Sequence, residues 1–350
     1  MKLYEQLKQK LLGKDPLIDI LGQEHAKLQI KSALLVNRHI IILGSPGMGK
    51  TTMAKNIARL LPETIVNDCP YNCDPQLPLC PYCKREKPKA KKIVGEKRFI
   101  RLQGSPDLTA EDLLGDIDPI KALKYGPLSP EAFTPGKIFK ANNGILFFDE
   151  LNRCPEKLQN ALLQVLEEGT ITLGTYDMDF NVNFIFIGTM NPYDSSTERM
   201  ADVLLDRFDV VTMTYPENTA IEQQIVMKKG KKLMVEFPES LLHYALQFIH
   251  DVRHNEHLEK YPSVRASLGL YERSQSNALL HGRKKVTLDD LQQVMESVLA
   301  HRIKLKPSMK YLKDPSTFVR EEFIDYVEKN PHLATHEAFE KSSEEPSDGL

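Results

Sequence analysis

The run Gly44-Ser45-Pro46-Gly47-Met48-Gly49-Lys50-Thr51 has the types and spacing of a phosphate-binding loop: two glycines bracketing four residues, then a lysine and a hydroxyl. Glycine lets the backbone fold tightly and turn its N–H groups inward. A helix starting there adds unsatisfied donors and a positive dipole end. In that chemistry Lys50 reaches the β- and γ-phosphates of a nucleoside triphosphate, Thr51 faces Mg²⁺, and Thr52 extends the cradle. A second set lies downstream. Asp149-Glu150 ends the apolar run Ile145-Leu146-Phe147-Phe148. There Asp149 holds Mg²⁺ through water and Glu150 polarises the attacking water. A strand-ending acidic turn would give the same dipeptide, but its place downstream of a phosphate loop argues for the catalytic reading. Asn191, in Gly188-Thr189-Met190-Asn191-Pro192, is a polar residue at a strand end that can orient that water, although such a segment also suits a plain turn.

Four of the five cysteines fall within fifteen residues: Cys69, Cys73, Cys80 and Cys83, spaced C-x3-C-x6-C-x2-C. In a reducing compartment that clustering suggests a metal more than disulfides. Four thiolates suit tetrahedral Zn²⁺, and an iron–sulfur cluster would use the same ligands. Pro70, Pro75, Pro78 and Pro81 argue against regular structure between them, so the segment reads as a knuckle of loops whose metal staples an insertion lacking a core of its own. From Lys84 to Arg101 the chain carries nine Lys or Arg residues. No aromatic interleaves before Phe99, so a solvated basic loop is the better reading than a nucleic-acid platform.

Two guanidinium groups complete the candidates. Arg207 stands in Leu205-Asp206-Arg207-Phe208, just before an apolar run. It is either a salt-bridged surface residue or a finger completing a neighbouring subunit's site. Arg265 falls in the first turn of a helix, where a cation opposes the helix dipole.

The elements that must position these residues are legible. Ile40-Ile41-Ile42-Leu43, Ile145–Phe148 and Phe184-Ile185-Phe186-Ile187 are continuously apolar, as strands buried on both faces are. Phe99–Leu102 and Val210–Met213 read as further strands. The segment 105–140, rich in Pro and Gly, is long for a connection without a function. Leu158, Ala161, Leu162, Val165 and Leu166 stripe a helix ended by Gly169, and Thr170–Val182 reads as a hairpin. Beyond Pro216 the β-runs stop, and 217–229, 238–253, 264–281 and 287–303 are helical in period, with one more helix at 317–328. The fold class is therefore α/β: a parallel sheet with helices on both faces, plus an all-helical C-terminal domain. The boundaries read as an N-terminal helix (1–19), a core (20–215) holding a cysteine-rich insertion (66–95) and a second insertion (105–140), a helical domain (216–305) and an extension (306–350) ending in a disordered acidic tail.

Composition excludes other classes. The chain has 350 residues, 41% hydrophobic and 27% charged, with a formal net charge of −2. That offers no global field for nucleic acid or membrane. No apolar run approaches a membrane span, and the N-terminus is too charged for a signal peptide, so the expectation is cytoplasmic.

Together these motifs resemble the AAA+ ATPases, and within them the magnesium-chelatase I-subunit and MoxR group, over about Ile20 to Lys306. Gly44–Thr51 and Phe148-Asp149-Glu150 are general to the superfamily. More specific are the 188–192 and 205–208 segments and the insertion closed by Pro135-Gly136-Lys137-Ile138-Phe139-Lys140-Ala141-Asn142. Leu60-Leu61-Pro62-Glu63 is similar to the chelatase side; Asp149-Glu150-Leu151-Asn152-Arg153 and Pro262-Ser263-Val264-Arg265-Ala266 are similar to MoxR. The resemblance implies a ring, usually hexameric, using ATP and Mg²⁺. It makes Asn191 sensor 1, Arg207 the trans arginine finger, Arg265 sensor 2 and Arg153 a further trans-acting residue. The partner it implies is a von Willebrand A-type (VWA) subunit. The alternatives are a MoxR-type chaperone with another client and a nucleic-acid-associated motor.

Overall fold

The computed structural model describes residues 3–13, 16–86, 88–173, 178–192, 200 and 202–331. The acidic tail expected at the C-terminus and the turn of the expected hairpin lie outside them. The chain divides into two compact units, Met1–Met213 and Thr214–Leu350.

In the first unit five parallel strands form one sheet. Across it run Phe208–Thr212, His39–Leu43, Phe184–Met190, Gly144–Asp149 and Phe99–Gln103. The apolar strands alternate their side chains between two covered faces, as a sheet buried on both sides requires. Ile40, Ile42, Ile145, Phe147, Ile185 and Ile187 pack with helices Glu24–Leu35 and Lys50–Leu60. Leu3, Leu7 and Leu11 of helix Leu3–Leu11 join that layer, so the N-terminal helix belongs to this core. Ile41, Leu146, Phe148 and Phe186 face the other way, toward Leu158, Leu162 and Val165 of helix Glu156–Glu168.

Both insertions are more ordered than their proline content suggests. The cysteine segment sits between two antiparallel strands, Thr64–Asn67 and Ala90–Ile93. It includes a short helix, Pro81–Arg85, whose first residue is a proline that needs no N–H there. The loops-only expectation is therefore corrected. The basic run is likewise no free loop, because Ala90–Ile93 within it is a strand and its end runs into Phe99–Gln103, the strand the sequence predicts. In the second insertion, Gly115–Ile117 pairs with Phe133–Pro135, and helix Pro119–Tyr125 lies between them in sequence. Asp118 caps that helix, yet none of its residues is buried. Thr170–Leu173 and Met178–Asn181 pair antiparallel, as the hairpin reading expects.

The second unit is built on helices Thr219–Lys229, Glu239–Arg253, Val264–Leu280, Leu288–Leu299 and Pro315–Lys329. It is not wholly helical, since Leu258–Lys260 pairs with Lys304–Leu305. Its interior holds an ion pair, Arg253 bonded through both terminal nitrogens to Glu222 at 2.6 and 2.7 Å, with Ser267 donating to the same carboxylate. Among the described residues no helix is long and apolar enough to cross a membrane.

Candidate functional site

The phosphate-loop residues follow directly on the His39–Leu43 strand and run into helix Lys50–Leu60. Glycine is required here. Gly47 and Gly49 have φ of 88° and 90°, in the left-handed region, and at Gly44 (φ 156°) a Cβ would meet the Met213 carbonyl oxygen at 2.9 Å. The Lys50 ammonium donates to the Gly44 carbonyl and, at 3.1 Å, to that of Ser45, so the lysine folds back over its own loop.

Strand pairing brings the second motif set to the same edge. Leu43 pairs with Met190, and Gly188 with Phe148. Gly44, Asn191 and Asp149 therefore leave three adjacent parallel strands at their C-terminal ends. Neighbouring strands are about 4.8 Å apart, so the lateral span from the loop strand to the acidic strand is about 10 Å. That edge of a parallel sheet is where ligands of open α/β folds bind.

One buried hydroxyl ties the acidic pair to its neighbour. Thr189 Oγ1 donates to Asp149 Oδ1 at 2.6 Å and accepts from the Glu150 backbone N–H at 3.0 Å. Glu150 has φ 56°, a left-handed conformation for a non-glycine residue, which carries a conformational cost and turns the carboxylate sharply off the strand. Gly104 permits this turn. Its N–H donates to the Asp149 carbonyl at 2.6 Å, and a Cβ there would stand 2.1 Å from the Glu150 carbonyl oxygen.

Three groups at this edge escape the sequence reading. Arg101 donates to Asp149 Oδ2 at 2.6 Å, and Gln103 Nε2 donates to Glu150 Oε2 at 2.9 Å. Both lie at the end of the Phe99–Gln103 strand, one residue apart on one face. Thr189 itself lies inside a segment that the sequence reading quotes, but its hydroxyl carries no motif of its own. Only pairing of Gln103 with Asp149 reveals the first two. Arg153 reaches Glu150 Oε2 at 3.1 Å within the same chain. Asn152 Nδ2 donates to the Asn191 carbonyl at 3.3 Å, holding the two loops together.

The two distant arginines are placed differently. Arg207 follows helix Asp202–Leu205 and pairs at 2.8 Å with Glu167 on a partly exposed surface. Arg265 lies in the second unit, exposed in the first turn of helix Val264–Leu280, where its N–H donates to the Ser263 hydroxyl. Leu21, Gly22 and Gln23 lead into helix Glu24–Leu35, with Gly22 and Gln23 both at positive φ.

The four clustered cysteines converge. All are buried, and their sulfurs lie within 4.8 Å of one another. Backbone N–H groups of Cys73, Leu79, Cys80 and Cys83 approach sulfurs at 3.3–3.4 Å. Cys69, hydrogen-bonded by Cys73 and Cys80, is pushed well below the thiol range; Cys73 and Cys80, hydrogen-bonded to Cys69, are pushed up. Burial raises Cys83.

A sheet in this strand order, with a phosphate loop and an acidic strand end converging beside it, defines an AAA+ ATPase. Comparison with known families agrees. Residues 86–210 match the ATPase family associated with various cellular activities, and 253–322 match the AAA lid domain. Residues 16–69 match magnesium chelatase, subunit ChlI. The chain thus belongs to the AAA+ ATPases, and over residues 16–69 it is similar to magnesium-chelatase subunit ChlI. It is 29% identical over 326 residues to a magnesium-chelatase subunit ChlI homolog of Methanocaldococcus jannaschii, covering 83% of this chain and 86% of that one. It is 28% identical over 336 residues to magnesium-chelatase subunit ChlI of Nostoc, covering 83% and 85%. Among solved structures it is similar to the complex between subunits BchI and BchD of magnesium chelatase, with TM-score 0.49, 20% identity and coverage of 85% of this chain and 98% of that one.

Proposed function

We propose that this ATPase is a ring motor whose ATP lies between adjacent subunits and whose turnover remodels a partner protein, a VWA-type subunit of a metal-chelation machine. The observation that carries the ATP-hydrolysing site within this reading is the Thr189 hydroxyl, bonded to both acidic residues one strand away from the phosphate loop.

The residues fit the roles. Gly44 to Thr52 cradle the triphosphate, with Lys50 turning from its loop carbonyls to the β- and γ-phosphates. The glycine backbone leaves room for phosphate oxygens where a Cβ would collide. Thr51 and Asp149 would hold Mg²⁺, which supplies positive charge against the phosphate oxygens. Glu150 orients the attacking water and takes up its proton, with Gln103 fixing one carboxylate oxygen. Asn191 orients the same water from the next strand. Arg207 acts on the neighbouring subunit's γ-phosphate. Its pair with Glu167 is half exposed and worth about 0–1 kcal/mol, so it is readily exchanged for a phosphate. Arg265 acts as the second sensor, and Arg153 as a further residue acting across the interface.

The ChlI-type relatives are named as subunits of a magnesium chelatase, which supports a partner in a multi-subunit machine. Helix Pro119–Tyr125 offers a contact surface, with Ile120 and Leu123 80% and 90% exposed. Several basic residues of the 84–101 run are paired within the chain, and the formal net charge of −2 offers no global field for nucleic acid. Lys91 pairs with Asp68 and Lys92 with Glu63, Arg85 pairs with Glu131, and buried Arg98 donates to the Pro62 and Asn143 carbonyls.

The test uses two inactive proteins. Lys50→Ala removes the phosphate contact and Arg207→Ala the finger, each from one side of the interface. Mixing them is expected to restore part of the ATPase activity, and no recovery in mixed rings refutes a shared site. A pull-down with Glu150→Gln held in ATP is expected to capture a VWA-domain protein; capture of another client instead moves the assignment to a MoxR-type chaperone.

A further inference from the structure

The cysteine cluster lies at the end of the sheet remote from the nucleotide edge. Asn142 donates to the Tyr71 carbonyl and Asn143 to that of Asn72, while Asn72 donates to the Lys140 carbonyl. These asparagines directly precede the Gly144–Asp149 strand. Tyr71, between the first two cysteines, packs edge-on to Phe139 at 5.3 Å and stacks with Phe180 at 6.2 Å. All four cysteines belong to the same hydrophobic cluster as Leu146 and Phe148 of that strand.

We propose that Cys69, Cys73, Cys80 and Cys83 bind one Zn²⁺, and that this ion is a structural member of the ATPase core rather than the staple of a loop outside it. Three observations carry this. The sulfurs fall within 4.8 Å of one another. A tetrahedral ion with Zn–S bonds of about 2.3 Å sets its sulfurs about 3.8 Å apart, a small inward adjustment. A multi-iron cluster spreads its thiolates over more than one metal and needs a wider cage. The N–H groups directed at the sulfurs are the partners that ligating thiolates require, since outer hydrogen bonds fix ligand orientation. Four thiolates around one divalent ion leave a net negative centre, and Lys84 follows Cys83 directly on its short helix.

Elemental analysis of the full chain, purified anaerobically without a metal-affinity tag, is expected to give about one zinc per chain. Iron with acid-labile sulfide, or no metal, would overturn the assignment. Cys73→Ser is expected to lose the zinc, and Cys154→Ser, at the lone buried cysteine elsewhere in the core, to keep it; equal zinc in both refutes the ligand set. Should Cys73→Ser fail to fold, cobalt exchanged into the unaltered chain still decides the matter. Thiolate-to-cobalt charge-transfer absorption with tetrahedral d–d bands is expected, and its absence refutes four-sulfur binding. Stripping the ion by thiol modification and chelation should lower the Tm of the ATPase unit by on the order of 10 °C. An unchanged Tm would show that the metal does not support the core.

Discussion

The two ends of one parallel sheet are built for opposite purposes. At the C-terminal ends of the strands the chain accepts conformational cost. Glu150 is left-handed, Gly104 is pressed against it, and Gly47 and Gly49 hold positive φ. The polar groups there meet through partly exposed side chains: Asp149 to Arg101 and Glu150 to Gln103 across strands, and Glu150 to Arg153 three residues on. At the N-terminal ends, beyond Gly144 and Phe184, Asn142 also accepts from the Asn183 N–H, and the neighbouring cysteines are buried. A strand of six residues separates the two ends by roughly 17–20 Å. The difference teaches that one end keeps ligand-facing groups adjustable while the other holds the strands in register.

If that division is right, variants at the two ends fail differently. The largest effect is expected for Glu150→Gln, with turnover down about 10³-fold, ATP binding retained and Tm unchanged. Parallel loss of ATP affinity would remove Glu150 from the water-activating role. Gly104→Ala should follow, because its methyl group must displace the Glu150 carbonyl, and a shift of about 1 Å costs about 10²-fold in rate. Normal kcat in that variant would show that the Glu150 turn is not needed. Thr189→Val removes one bond from each acidic residue and should lower kcat about 10-fold, with Thr189→Ser restoring most of it. If Val and Ser variants behave alike, the hydroxyl does not position the pair.

The smallest effect belongs to the other end and appears in stability alone. His39 opens its strand, its Nδ1 accepts from the Phe186 N–H at 3.1 Å, and burial lowers its pKa to about 4. The unfolded chain, with a pKa of about 6.5, binds the proton first as pH falls. Stability from this group is therefore complete above about pH 6.5 and lost toward pH 4, by about 1 kcal/mol per pH unit. His39→Gln should flatten that part of the stability profile, and an unchanged slope would remove His39 as the cause.

Much of this molecule was legible in the residues themselves. Long apolar runs can be buried only as central strands, and a Gly-rich loop between such a strand and a helix has a local geometry that follows from backbone sterics. Hence Gly44–Thr51, Asp149-Glu150 and Asn191 could be named from order and type alone, as could the clustering of four thiols. The cysteine segment was less legible, because proline content argues against regular structure without showing what the turns pack against. Only the tertiary structure embedded it in the core through Tyr71, Phe139 and Phe180. Only strand pairing brought Arg101 and Gln103 beside the acidic residues, since they lie over forty positions away and carry no motif. Local sterics are written in neighbouring residues, whereas contacts between distant strands depend on which edges pair and in what register.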